Sequence, residues 1–208
     1  IDISNQIHEE KSKCSKYMLT LQSIRLLEKH VPCGEKRDSK KGIYEITDNF
    51  YKFWYRYVFS NQSYYTMLGT DKASDEIMEE INDYMGPVFE TICVQYLVRM
   101  AKKEKLPFVP YTIGKWWGNN PEIKQQDDVD ILALDKKGTK GIFCECKFRN
   151  KPMPMEEYDD LVTATKVFTT VKESHLMFIS KSGFTAPVEK RAKEEGAALL
   201  TLEDLFKI

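Results

Sequence analysis

Two apolar stretches of the sequence carry charged residues where a core strand would be uniformly apolar. In Asp127-Asp128-Val129-Asp130-Ile131-Leu132, strand alternation predicts that Asp128 and Asp130 share a face. In Phe143-Cys144-Glu145-Cys146-Lys147-Phe148 it predicts Glu145 and Lys147 on one face, with Cys144, Cys146 and Phe148 on the other. Burying a carboxylate in a sheet is costly unless it is paired or binds a metal. If the two strands pair across the Asp135–Gly138 turn, Asp130 and Glu145 converge. A hard divalent cation would relieve their repulsion, and Lys147 would point at whatever that cation holds. The plainer alternative is a structural salt bridge between Glu145 and Lys147 or Asp130.

The elements that must position these residues read as follows. Tyr84 to Lys105 carries Met85, Val88, Phe89, Ile92, Cys93, Tyr96, Leu97 and Met100 as one apolar stripe at helical spacing, ended by Pro107. The period then changes to two, predicting strands over 108–113, 129–134 and 141–148. A helix over 156–171, a strand over 175–179, a helix over 187–195 closed by Gly196, a strand over 197–200 and a last helical turn complete the order α-β-β-β-α-β-α-β. Upstream, residues 4–30 read as a helix stopped by Pro32 and Gly34. The charged turn Gly34–Gly42 leads from it to the alternating stretch Ile43–Ile46. A helix followed by a basic two-stranded turn outlines a winged helix, and equally a helical hairpin with a solvated basic loop. Residues 48–66, with Phe50, Tyr51, Phe53, Trp54, Tyr55, Tyr57 and Phe59, read as an aromatic helix capped by Asp48. Its aromatics point to burial between two bodies or to base stacking. Residues 71–83 read as an acidic surface helix.

The chain has 208 residues, enough for one large or two small domains, and its 42% hydrophobic content excludes a wholly disordered chain. No apolar run is long enough for a membrane helix. The 31 basic and 32 acidic residues balance overall but not locally. Between Lys11 and Lys41 nine basic residues face three acids, whereas Asp71 to Glu90 holds seven acids and one lysine. A basic head suits an anionic partner. Lys11, Lys13, Lys16, Lys36, Arg37, Lys40 and Lys41 are its candidate DNA phosphate contacts, against the alternative of a solvated face. The five cysteines show no CxxC spacing, so reduced thiols and a cytoplasmic setting are expected. Trp116 and Trp117 could stack on unpaired bases or pack on the sheet. The chain begins with Ile and carries no signal-peptide pattern; a segment of a longer polypeptide is expected.

Asp130, then a turn, then Glu145-x-Lys147 resembles the PD-(D/E)XK nucleases, and the order of elements resembles their core. The resemblance implies that the acids hold Mg²⁺ (or Mn²⁺) and that Lys147 orients water and stabilises the phosphate. It further implies an acid from the first core helix, matched by Glu90, and the Cys146 carbonyl as a third ligand. Asp128 is a secondary candidate, and Val129 stands where the motif has proline. The series Tyr44–Asp48, Phe53–Arg56, Gly86–Glu90, Trp116–Gly118, Val129–Ile131 and Glu145–Lys147 also resembles the C-terminal half of the archaeal-type P-loop ATPases of prokaryotes. That resemblance implies a partial winged helix over 1–46, a helical linker over 47–83 and a restriction-endonuclease-like α/β domain over 84–208. It also implies an upstream ATPase domain as partner. The chain itself has no GxxxxGK[ST] motif, hence no expected ATP site. The expected function is a metal-dependent, DNA-directed nuclease-like domain; the alternative is a non-cleaving DNA-binding or protein-interaction module that reports to the ATPase.

Overall fold

The computed structural model describes residues 3–207; residues 1 and 2 of the expected first segment, and residue 208, lie outside the described residues. The chain divides into two compact units, residues 1–31 with 36–74, and residues 32–35 with 75–208.

In the first unit, α1 (Ile3–Gln6) and α2 (Lys11–Ser23) precede β1 (Leu27–His30) and β2 (Ile43–Ile46), which pair antiparallel from Leu27↔Ile46 to His30↔Ile43. The expected helix over 4–30 is therefore two helices and a strand. Arg25 takes a left-handed φ of 59°, and the helix closes by Leu26 N–H donating to the Leu21 carbonyl and Arg25 N–H to that of Gln22. That is the usual Schellman closure, but without the glycine that normally announces it. The connection between the strands carries Lys36, Arg37, Lys40 and Lys41, all exposed, as are Lys11, Lys13 and Lys16 on α2. Asp48 caps α3 (Asn49–Phe53) as expected, accepting from Phe50 N–H at 2.7 Å. The helix then widens into a π turn over Trp54–Val58, with Phe59 N–H donating to the Trp54 carbonyl at 2.8 Å. After α4 (Gln62–Leu68), α5 begins.

The expected linker helix and first core helix are one helix, α5 (Thr70–Lys102), running through Pro87. Its apolar stripe packs on a five-stranded mixed sheet of order β3-β4-β5-β6-β7: β3 (Thr112–Asn120), β4 (Gln125–Leu134), β5 (Lys140–Lys147), β6 (Glu173–Ser180) and β7 (Ala198–Thr201). β3, β4 and β5 are antiparallel neighbours; β5, β6 and β7 run parallel. α6 (Met155–Thr165) and α7 (Ala186–Glu195) supply the parallel crossovers and cover the other face. On the α5 side lie Phe89, Cys93, Leu97, Ile131, Ala133, Ile142, Cys144 and Cys146; on the α6–α7 side lie Val129, Leu132, Phe143, Tyr158, Leu161 and Phe178. The chain thus has the expected order of elements. The first strand is displaced: residues 108–111 are not in it, and Trp116 and Trp117 are. Trp116 packs edge-on against Phe168, their centroids 4.9 Å apart, and lies so close over Gly118 that a Cβ there would meet its ring at 2.8 Å.

Candidate functional site

The site is built where β4 and β5 part. Asp135 fixes the turn between them by accepting N–H groups of Lys137, Thr139 and Lys140. The ladder then runs from Leu134↔Gly141 to Ile131↔Cys144 and stops. The next position would pair Asp130 with Glu145. Instead the Asp130 side chain takes the place of a backbone acceptor, its Oδ2 receiving the Cys146 N–H at 2.9 Å. The β3–β4 register also shifts between Gly114 and Trp116. Val129 and Leu132 consequently face α6–α7, while Ile131 and Ala133 face α5. Strict alternation, which predicts Asp128 and Asp130 on one face, is broken by this bulge. Both acids nevertheless reach one cation.

That cation is Lys115 of β3. Its Nζ donates to Glu90 Oε2 at 3.0 Å and to Asp130 Oδ1 at 3.2 Å, and stands 3.1 Å from Asp128 Oδ2. A second group faces α6. Lys147 Nζ lies 2.5 Å from Glu145 Oε1 and 3.0 Å from Glu157 Oε2, and Arg149 Nη1 lies 3.0 Å from Glu157 Oε1. Nε and Nη2 of Arg149 are buried without an acceptor, as is the hydroxyl of Ser180. Asp127, Asp128, Glu145, Lys147, Glu157 and Asp160 line an open pocket of ≈ 380 Å³ here.

Five carboxylates (Glu90, Asp128, Asp130, Glu145, Glu157) thus meet three cations (Lys115, Lys147, Arg149), leaving an excess of two negative charges when all are ionised. The proton affinities reflect that excess. Burial, and then the charge of Asp130, push the Glu145 carboxyl up to about 8 against the opposing pull of Lys147. Burial and Asp130 raise Glu90 in the same direction. Burial pulls the ammonium groups of Lys115 and Lys147 downward, but the surrounding carboxylates outweigh it and hold both above the ordinary lysine value. Both lysines stay charged.

Of the residues singled out in the sequence, Glu90, Asp128, Asp130, Glu145 and Lys147 are brought together around these two lysine-centred groups, and Cys146 enters through its backbone N–H. The seven basic residues of the head belong to the other unit. Lys115 and Glu157 have no place in the acid-and-lysine motif. Lys115 is a lone lysine between Gly114 and Trp116, and only strand pairing brings it beside Asp130. The thiols of Cys144 and Cys146 are buried on the α5 side, which raises both above the ordinary thiol range and leaves them poor nucleophiles.

Residues 54–161 match the family DUF234, described as "Archaea bacterial proteins of unknown function". The chain belongs to this family. The matched DUF234 span contains every acid and cation of the cluster. An uncharacterised relative, MJECL04 of Methanocaldococcus jannaschii, is 34% identical over 149 residues, 72% of this chain. The chain spans about a third (32%) of that relative's length. Two solved structures are similar at low identity. A protein of unknown function, AF1548, shares 16% identity with a TM-score of 0.39, over 57% of this chain and 65% of its own. Protein VC1899 from Vibrio cholerae shares 10% with a TM-score of 0.43, over 99% of this chain and 43% of its own. No helix among the described residues is long and apolar enough to cross a membrane.

Proposed function

We propose that this DUF234 domain is a divalent-metal-dependent phosphodiesterase acting on DNA, built on a PD-(D/E)XK-type core. The observation that carries the reading is the parting of β4 and β5 at Asp130, which sets Glu90, Asp128 and Asp130 on Lys115 next to Glu145 and Glu157 on Lys147, with two negative charges in excess when all five acids are ionised. Buried carboxylates in excess of their cations are unstable alone and suit a hard divalent ion. The donor set is all oxygen, which fits Mg²⁺ or Mn²⁺ in chemistry and in charge. Asp130 and Glu145 would hold the ion, with Glu90, the Cys146 carbonyl and Asp128 as further donors. Bound there, it would supply an acidified water and withdraw charge from the phosphate. Lys147, kept protonated by Glu145 and Glu157, would orient the attacking water and offset charge gathering on the phosphate oxygens. The basic residues Lys11, Lys13, Lys16, Lys36, Arg37, Lys40 and Lys41, on a partial winged helix, would add phosphate contacts. An ATPase domain in the full polypeptide, as the archaeal-type ATPases have, would be the partner that controls access.

A second reading is favoured by a specific observation. Lys115 already serves Glu90, Asp128 and Asp130, and among the described residues no three His, Cys, Asp or Glu side chains are arranged to hold a metal ion. In that case the cluster is a self-compensated lock inside a non-cleaving DNA-binding or protein-interaction module. Titration with Mn²⁺, read by isothermal calorimetry, separates the two. The phosphodiesterase reading expects one site, with protons released on binding and affinity rising as pH passes about 8, where Glu145 ionises. No binding heat at pH 8.5 favours the lock.

A further inference from the structure

The cations of the site differ in one respect. Lys115, Lys147 and Arg149 each have a carboxylate partner. Lys181, the residue just beyond β6, does not: among the described residues no carboxylate lies within ion-pair distance of it. Its Nζ donates to Asn150 Oδ1 at 2.7 Å and to Asn82 Oδ1 at 3.0 Å, and stands 4.4 Å from the centroid of the Phe148 ring. Two amide oxygens and a ring face fix the direction of an ammonium without neutralising it. A half-exposed lysine held by neutral partners retains its full charge for something that arrives from outside.

Its position says what that something is. The Lys181 N–H donates to the Lys147 carbonyl at 3.0 Å, so the two residues are neighbours across the parallel β5–β6 pair, at the carboxyl ends where open α/β sheets bind ligands. Lys147 points to the α6 side and Lys181 to the α5 side, toward Asn82, so the pair straddles the sheet end. The backbone hydrogen bond keeps the two residues side by side at one sheet end, so a nucleic-acid strand that crosses this end meets the Lys147 ammonium on one face and the Lys181 ammonium on the other.

We propose that Lys181 is a phosphate-binding residue that grips the nucleic-acid backbone on the opposite side of the sheet end from the phosphodiester held at Lys147. This rests on the phosphodiesterase reading for its substrate, but it makes its own prediction about binding. Wild type, Lys181→Gln and Lys181→Arg are compared by fluorescence anisotropy with two duplexes of unrelated sequence, over a range of salt and without divalent metal, alongside thermal melts. Lys181→Gln is expected to weaken both duplexes equally and to lower the slope of log K against log salt by about 1, while Lys181→Arg keeps the wild-type slope. An unchanged slope in Lys181→Gln overturns the proposal, as does absence of DNA binding by wild type at low salt. Cleavage of supercoiled plasmid, followed in parallel with Mg²⁺, separates the two claims. A wild type that binds with the Lys181-dependent slope and never cuts retains this contact and loses the phosphodiesterase reading. A wild type that cuts, with Lys181→Gln unaltered in salt slope and KM, does the reverse.

Discussion

Replacing Glu145 by Gln should stabilise the protein increasingly as pH rises above about 4.5, and most at pH 8 and above. The carboxyl is pushed from 4.5 up to about 8 by burial and by Asp130. Between those two values the folded chain keeps a proton that the unfolded chain has lost, so this group's contribution to stability falls as pH rises through the window. Each pH unit of that window corresponds to about 1.4 kcal/mol, giving an upper bound of about 5 kcal/mol at pH 8 and above. The opposing pull of Lys147 is already contained in that shift, and its ammonium keeps Glu157 at 3.0 Å in the variant. Because an amide replaces the protonated carboxyl imperfectly, the net gain should be a part of that bound, about 1–3 kcal/mol, or roughly 2–4 °C in Tm per kcal/mol for a chain of this size. The assay is urea unfolding of wild type and Glu145→Gln at pH 4.5, 6.5 and 8.5, followed by tryptophan fluorescence. The two proteins should have similar stability at pH 4.5 and diverge with rising pH, the variant being the more stable. A difference that does not change with pH, or a variant less stable at pH 8.5, would refute the idea that Glu145 is a destabilised acid kept for a cation.

Lys147→Ala should abolish metal-dependent cleavage while leaving the fold intact; thermal melts beside a nicking assay check it, and a sharp loss of stability with cleavage retained would mark Lys147 as structural. Replacing Lys36, Arg37, Lys40 and Lys41 together by Gln should weaken DNA binding and lower the salt slope by about 0.9 for each phosphate that is no longer neutralised; equal slopes would make the basic head a solvated surface. Gly118→Ala should destabilise by about 1–3 kcal/mol, because its Cβ would meet the Trp116 ring at 2.8 Å; denaturant midpoints measure this, and an unchanged midpoint would show that the ring moves freely.

The apolar stripe of α5 and the β4–β5 hairpin are legible in the sequence because each follows one period cleanly, and the acids are conspicuous for interrupting it. Glu90 can be placed because a helix of known phase fixes its neighbours; it does sit at the stripe's border, on Lys115. Three features are hidden for physical reasons. The stop of α2 rests on Arg25 in a left-handed conformation that glycine usually marks. Strand β1 is too short to overrule the helical spacing that runs into it, and it is extended because Ile43–Ile46 pairs with it. The β4 bulge is a property of three strands together: sequence alternation gives the face of Asp130 only if the register holds, and at Asp130 it slips. The role of Lys115 is hidden for the same reason. As a sequence it offers a basic residue near the proposed metal site, but its pairing with Glu90, Asp128 and Asp130 exists only in the β3–β4 register.

The proposed function turns on whether the opening between β4 and β5 cuts phosphodiester bonds with a divalent metal. The decisive measurement is nicking of supercoiled plasmid by wild type, Asp130→Asn and Glu145→Gln, with Mg²⁺, with Mn²⁺ and with EDTA. Wild type should nick with either metal and not with EDTA, and neither variant should nick although both remain folded. Nicking that survives EDTA or persists in Asp130→Asn, or a folded wild type that never nicks, would contradict the proposal.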